Sequence, residues 1–365
     1  MRPSWAENMQ PLVFALSLLF LNTDLSNCLQ CLDYEGKPVD WFVVYKLPKL
    51  DQNKSSPILH HGLGHFYLDA NNPEFQLSKY SLNSSNDAIY YTLQQIYTAK
   101  DDSILYGMYN DEPPTQYGSV TNGHTKGVIA SNENQGYWLV HSVPKYPPRK
   151  SESYTWPESA TIYGQNFLCI TIDYETVDKI GKQYLYNYPK FYDKYMPPQF
   201  ADDNPNMVKA FGKLHVQSPP WNNTAGFNSS GGTQFYSFAK FCNFERDLYA
   251  AWLAPYFKSA MYAETWQDGR GKLPSNCSAT YKVLNVRNIS LPEGIKFTET
   301  KDHSKWAITR DVGNWVCIGD INREEPQEKR AGGTVCFQNK DVWKNYNNSI
   351  FEVQNCSPRY SVVNL

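Results

Sequence analysis

The sequence predicts an α+β (α/β) protein made of two similar lobes, each a mixed β-sheet flanked by helices, related by a pseudo-two-fold axis. Three observations lead there. The chain is rich in aromatic residues and poor in charge; the tripeptide His-x-Lys occurs once in each half, as His124-Thr125-Lys126 and His303-Ser304-Lys305; and similar helix-like and strand-like segments precede both copies. Of 365 residues, 41% are hydrophobic, 15% aromatic and only 19% charged, enough apolar material for a large core and too little charge for a disordered chain. Abundant Tyr, Phe and Trp favour β structure without naming a ligand.

Taken in order, residues 1–28 read as a signal peptide. Arg2 precedes an apolar run from Leu12 to Leu21, and Ser26 and Cys28 supply small residues before a cut after Cys28. That run is short for a bilayer span, the competing reading being an N-terminal anchor. No later stretch is long and apolar enough to cross a membrane, so no stable membrane insertion is expected. Val39 to Lys46 reads as a strand ended by Leu47-Pro48, and Ile89, Leu93, Ile96 and Tyr97 share one face of a helix. The turn-rich run from Asn110 to Pro114 leads to Gly123, His124 and the β-branched pair Val128-Ile129. The second half offers a helix from Phe244 to about Tyr262, kinked at Pro255, then a strand from Tyr281 to Val286, then His303. Residues 174–233, rich in Tyr, Pro, Asn and Gly, read as irregular connections. The lobe boundary falls within them, giving lobes 29–190 and 191–365.

Sequons and cysteines agree with passage through the secretory pathway. Sequons begin at Asn53, Asn83, Asn222, Asn228, Asn276, Asn288 and Asn347, with Cys277 as the middle residue at Asn276. Removing Cys28 with the signal leaves seven scattered cysteines, unlike a zinc ribbon and suited to disulfides, with at least one thiol unpaired. The formal net charge is −2 with histidine neutral, and protonation of the seven histidines would make it positive. A polyanion is therefore a poor partner at neutral pH and a good one in an acidified lumen.

On a β-strand, His-x-Lys places imidazole and ammonium on one face. A single copy is more simply a surface histidine beside a solvated lysine. Two copies in corresponding places are harder to dismiss, because each is followed, seventeen residues after its histidine, by a polar residue: His141 after Trp138-Leu139-Val140, and Asp320 after Val316-Cys317-Ile318-Gly319. The pattern suggests an internal duplication whose copies pair like a dimer fused into one chain.

Paired His-x-Lys motifs resemble those of the phospholipase D superfamily, which also places a polar residue seventeen positions on. The Asp expected seven positions after each histidine is replaced by Ser131 and Arg310, a departure associated with the deoxyribonuclease II family. The chain is similar to that family, most of all its alpha type, in Val39-Asp40-Trp41-Phe42, Tyr45-Lys46-Leu47-Pro48, Gly123 to Gly127, Trp138 to Pro144, Leu273 to Ser278, Asp302 to Trp306 and Gly319 to Arg323. The resemblance implies disulfides Cys31–Cys169, Cys277–Cys356 and Cys317–Cys336, leaving Cys242 over. Ala307 stands where the family usually has Cys.

It further implies a lysosomal or secreted acid endonuclease that cleaves double-stranded DNA to 3′-phosphate ends through a phosphohistidine, with no metal or other cofactor and no obligatory protein partner. His124, Lys126, His303 and Lys305 would be catalytic: one imidazole attacks phosphorus, the other protonates the leaving 5′ oxygen, and the lysines hold the phosphoryl group. His141, Asp320 and Asn322 are accessory candidates. Trp41, Tyr45 and Lys46 either line the DNA groove or belong to a core strand. His60, His61 and His65 form a His-rich patch, but Gly62 and Gly64 break the helix that would stack His61 on His65, and no metal site is expected. His215 reads as structural. The competing functions are a phosphodiesterase for lipid headgroups and a non-enzymatic, polyanion-binding secreted glycoprotein.

Overall fold

A computed structural model describes residue 1, residues 28–100 and residues 102–356. The signal peptide assigned to residues 1–28 lies, apart from its two ends, outside the described residues. The fold is mixed α+β with two sheets. The first contains β1 (Trp41–Lys46), β2 (His65–Asp69), β3 (Gln76–Leu77), β4 (Leu105–Asn110), β5 (Lys126–Ser131), β6 (Gln135–His141), β7 (Gln165–Asp173) and β8 (Phe191–Tyr195), in the order β3-β2-β1-β7-β6-β5-β4-β8. All its pairings are antiparallel, so it is not the mixed sheet expected from sequence. Neighbouring strands here return on themselves, and none of these pairs is made by the helical crossover that a parallel pair needs.

The second sheet contains β9 (Asn222–Asn228), β10 (Gln234–Lys240), β11 (Met261–Glu264), β12 (Val283–Ser290), β13 (Lys296–Thr298), β14 (Trp306–Thr309), β15 (Trp315–Gly319), β16 (Gly332–Gln338) and β17 (Ile350–Val353). Its order is β13-β12-β11-β14-β15-β16-β10-β9, with β17 beside β12, and β11–β12 is its parallel pair. The helices are α1 (Pro57–His60), α2 (Ala88–Thr98), α3 (Thr176–Asn187), α4 (Pro205–Phe211), α5 (Ala254–Phe257), α6 (Glu325–Glu328) and α7 (Lys340–Ser349). One pattern recurs: an antiparallel run β4-β5-β6-β7 is flanked by β1 and followed by α3, and an antiparallel run β11-β14-β15-β16, with β12 and β13 inserted in the chain after β11, is flanked by β10 and followed by α7.

Both faces of β1 are buried, which explains why it reads as a nearly unbroken apolar run. Trp41, Val43 and Tyr45 face a large core between the sheets, with Trp138, Ile170, Trp306, Ile318 and Phe337. Phe42 and Val44 face an outer core with Ile89, Leu93 and Ile96 of α2, whose N-terminus is capped by Asp87 accepting from Ile89 N. The second sheet has its own outer core around Leu248, Leu253 and Phe257. Helices α3 and α7 contribute Ile180, Tyr184, Val342 and Tyr346 to the shared core. The two halves therefore bury their largest apolar surface against each other, at about 1.5–3 kcal/mol for each large side chain.

Three expectations need correction. Residues 174–233 are not irregular: they hold α3, β8, α4 and β9, because Val177, Ile180 and Tyr184 share a helical face that the many polar residues obscure. Strand β8 lies beyond residue 190 yet pairs with β4, so the first sheet overruns the lobe boundary placed there. The helix expected from Phe244 to Tyr262 is shorter. Its middle, Tyr249–Leu253, is a wider π-type turn in which Ala254 N reaches back to Tyr249 O, relieving the clash that Pro255 causes in an ordinary helix, and Tyr262 lies in β11.

Disulfides join Cys31 to Cys169, Cys277 to Cys356, and Cys317 to Cys336, while Cys28 and Cys242 are free among the described residues. All seven sequon asparagines are at least partly exposed. No helix among the described residues is long and apolar enough to cross a membrane. Because the first bridge spans 138 residues and lies in the outer core, its removal in a Cys31→Ala/Cys169→Ala protein should cost about 2–5 kcal/mol. Denaturant unfolding followed by fluorescence measures this, and an unchanged midpoint would show that the bridge adds nothing.

Candidate active site

Both His-x-Lys motifs sit just before a strand rather than on it: Lys126 is the first residue of β5, and Lys305 immediately precedes β14. Each motif is anchored to the other half of the chain. His124 N donates to Ala331 O at 2.8 Å, and His303 N donates to Gly164 O at 2.8 Å. Both junctions favour glycine, through close backbone approach at Gly123 and through the buried Asp302 carboxylate at Gly164. A Cβ on Gly123 would lie 1.9 Å from Asn187 O, and one on Gly164 would lie 2.4 Å from Asp302 Oδ1.

Around the first motif, His124 Nδ1 is 2.9 Å from Gln327 Oε1. An amide oxygen only accepts, so Nδ1 carries the proton and Nε2 holds the lone pair. The Lys126 ammonium contacts Asp111 Oδ1, whose other oxygen accepts from Arg330 at 2.8 Å. Burial pushes the Asp111 carboxyl up, but Lys126, His124 and Arg330 outweigh it and hold it below the usual range. Arg330 also donates to Ser119 O and thereby fixes the loop that leads into the motif.

Around the second motif, the His303 ring stacks on Tyr163 at 3.9 Å between centroids and touches Trp266 at 4.5 Å. Its Nε2 is buried without a hydrogen-bond partner. Lys305 Nζ donates to His303 O at 2.6 Å, and Lys305 N donates to Asn166 Oδ1 at 2.7 Å. Beneath the motif, Asp302 accepts from Tyr45 and from Ser304, and Ser304 also reaches Glu264. Burial raises both carboxyls; the nearby Asp302 raises Glu264 further, whereas Tyr45, Ser304 and Lys305 partly offset the rise of Asp302.

The motifs lie close enough to act on one another electrostatically. Burial and then Lys126 push His124 well below its ordinary value, with Lys305 adding to the effect. Burial, Lys305 and Lys126 lower His303 to about 2. Burial and Lys126 lower Lys305 to about 8. The structure thus gathers two neutral imidazoles and two ammonium groups at one junction, an arrangement short of negative charge.

The accessory candidates are placed differently from one another. Continuing the β5–β6 register one residue past Gly127↔Val140 sets His141 opposite Lys126, on the same face. Gly319 N bonds Lys305 O, which sets Asp320 opposite Ser304 instead. Equal spacing in sequence therefore conceals a one-residue difference in register. His141 Nδ1 accepts from Val143 N, and its ring packs on Tyr146 and Phe167, leaving Nε2 unpartnered. Asp320 accepts from Gly333 N and Thr125, with burial raising its carboxyl to about 6. Asn322 is buried beside Glu324. Ser131 and Arg310 lie at the far ends of β5 and β14, about 20 Å along the strand from their histidines, so an Asp there would not reach the imidazoles directly.

Trp41, Tyr45 and Lys46 are core residues, not groove-lining ones, because β1 is covered on both faces. Lys46 turns its ammonium to the carbonyls of Thr161 and Tyr163. In the His-rich patch, His60 lies against His61, while buried His65 faces Asp87 at 3.2 Å, a carboxylate that sequence neighbours did not suggest. His215 stacks on Phe241. Cys242 donates to Asn243 Oδ1. Sequence reasoning passed over Asp111, Tyr163, Asn166, Trp266, Gln327 and Arg330. Asp111 had a local signal in the turn leading to the first motif; the others approach only through the fold.

The chain matches the sequence model of the family Deoxyribonuclease II over residues 30–356. It is 45% identical to Plancitoxin-1 of Acanthaster planci, covering 91% of this chain and 94% of that protein. It is 39% identical to Deoxyribonuclease-2-alpha of Mus musculus, with the same coverage of 91% and 94%. Against Deoxyribonuclease-2-beta of Homo sapiens it is 36% identical over 90% of this chain and 92% of that protein.

Burial and Lys126 hold His141 at about 3. An unfolded chain binds its proton near pH 6.5, so the stability this group contributes is complete above about pH 6.5 and is lost as pH falls toward 3. A His141→Phe protein cannot take up that proton. Its unfolding midpoint should fall less steeply across this window than that of the wild type, whatever its absolute level, and an identical slope would remove His141 from the account.

Proposed function

Because the chain belongs to the deoxyribonuclease II family, we propose that it is an acid endonuclease hydrolysing double-stranded DNA to 3′-phosphate ends, without metal, through a phosphohistidine. The observation that carries this reading is the convergence of His124, Lys126, His303 and Lys305 from opposite halves of the chain, with the reciprocal backbone bonds of both motifs. The recurring antiparallel run of four strands, flanked by a fifth and followed by a helix, supports two phospholipase D-like halves related by a pseudo-two-fold axis.

Neutral His124, with its proton on Nδ1 and its lone pair on Nε2, suits the nucleophile. Nε2 attacks phosphorus, the bond from phosphorus to the 5′ oxygen breaks, and His303 as imidazolium gives its proton to that oxygen. Water then attacks phosphorus, losing its proton to His303, and the 3′-phosphate end leaves His124. Lys126 and Lys305 hold the non-bridging oxygens, where charge accumulates. In the free site burial, reinforced by the lysines, keeps both imidazoles neutral; a bound phosphate offsets the positive potential of the lysines and favours a proton on one imidazole. The active form, with one proton on the pair, is lost as pH rises, which gives an acid optimum.

Three disulfides and seven sequons whose asparagines are at least partly exposed support an oxidising secretory route ending in the lysosome or outside the cell. His141, Asp320 and Asn322 would tune the site, and a monomer would suffice because one chain brings both motifs together.

Nicking of supercoiled plasmid, in acid and neutral buffers with excess chelator, tests the proposal. Wild type should nick in acid, ignore the chelator and leave 3′-phosphate ends; His124→Ala and His303→Ala should each lose about 10³-fold or more in rate. Full nicking by either variant would sink the mechanism. Release of headgroups from phosphatidylcholine vesicles without nicking would move the activity to lipids.

A further inference from the structure

Two buried lysines outside the motifs occupy matching places. Lys46 is the last residue of β1 and pairs with Gln165, the first residue of β7; Lys240 is the last residue of β10 and pairs with Gly332, the first residue of β16. Both are 0% exposed. Lys46 Nζ donates to Thr161 O at 2.8 Å and Tyr163 O at 2.5 Å. Lys240 Nζ donates to Gln327 O at 2.9 Å, Glu328 O at 3.0 Å and Arg330 O at 2.5 Å. Neither has a carboxylate within ion-pairing distance among the described residues. What each ammonium does is gather the carbonyls of one loop.

Those loops carry the contacts that orient the two imidazoles. The loop held by Lys46 supplies Gly164 O to His303 N and the Tyr163 ring to the His303 ring. The loop held by Lys240 supplies Ala331 O to His124 N and Gln327 Oε1 to His124 Nδ1. We infer that Lys46 and Lys240 are positioning residues, each fixing, through its loop, the imidazole of the opposite motif. An ammonium suits this task because it donates three bonds from one point, and a buried charge left with fewer partners is costly, so the loop has one favoured shape.

The inference rests on the nuclease reading, but the two can fail separately. The test uses the full-length protein and the variants Lys46→Met and Lys240→Met, which keep chain length and remove the donors. Plasmid nicking should show kcat lowered about tenfold or more, with KM within about twofold, because misplaced groups cost turnover rather than binding. Ring signals of the histidines in heteronuclear NMR give a readout independent of turnover. Lys46→Met should shift the His303 signals and spare those of His124, and Lys240→Met should do the reverse. Equal disturbance of both rings, or of neither, in a folded variant would overturn the inference, as would unchanged kcat. If the lysine variants do not fold, Tyr163→Leu and Gln327→Leu carry the same test from the loop side: each should lower kcat and move only its own histidine's signals, and failure of either result refutes the inference. A wild type that nicks no DNA would refute the nuclease reading while leaving the ring signals to judge the positioning.

Discussion

Burial of four lysines at the junction of the two sheets is the constraint around which the rest of the molecule is arranged. Lys46 and Lys240 are 0% exposed, Lys126 is 3% and Lys305 is 4%. A buried ammonium is tolerated only when its protons are satisfied, and the four do so in three different ways. Lys126 uses the carboxylate of Asp111, shared with Arg330. Lys305 uses the carbonyl of its own motif's histidine, with Glu264 and Asp302 nearby. Lys46 and Lys240 use only backbone carbonyls among the bonds that hold them. Satisfying these protons fixes the loops, and the fixed loops fix the imidazoles.

The same positive charge decides how the site meets pH. Buried histidines beside lysines resist protonation, burial first and the lysines second, so His303 stays neutral well into the acid range. Neutral imidazole is what a nucleophile requires, whereas an acid catalyst requires a proton that the free site repels. A phosphate diester carries the compensating charge with it, so protonation and substrate binding favour each other. Buried carboxyls supply an opposite dependence in stability. Burial raises Asp320 to about 6 and also raises Asp302 and Glu264, so the folded state takes up their protons before the unfolded state does. That contribution grows as pH falls through the raised values, while the one from His141 shrinks over an overlapping range. An acid-working protein thus has buried groups pulling in both directions.

How much of this was legible depended on whether the signal was local. The strand at β1, the α2 periodicity and both His-x-Lys tripeptides could be read directly, because each lies within one element or beside one. The return of a polar residue after seventeen positions was legible too, as the length of a strand, a turn and an antiparallel strand. Its register was not: one residue of difference sends His141 beside Lys126 and Asp320 opposite Ser304, and a count of residues is blind to that. The disulfide partners were legible only through family resemblance, since scattered cysteines leave many pairings open. Tyr163, Gln327 and Arg330 gave no sign at all. Each is ordinary in its own neighbourhood and acquires a role only when the second sheet packs against the first.

That packing also explains why the two halves of the chain are not separable. A repeat joined by a linker would leave each copy with a core of its own. Here Trp41, Trp138, Trp306 and Phe337 belong to one continuous core, and α3 enters it beside strands of the second sheet. The polar junction follows the same rule. His124 rests on Gln327 and Ala331 from the far half, and His303 rests on Tyr163 and Gly164 from the near one. Neither half alone contains the groups that orient its own histidine. Each motif is built by one half and aimed by the other, so the apolar surface that joins the sheets also enforces the alignment of the two imidazoles.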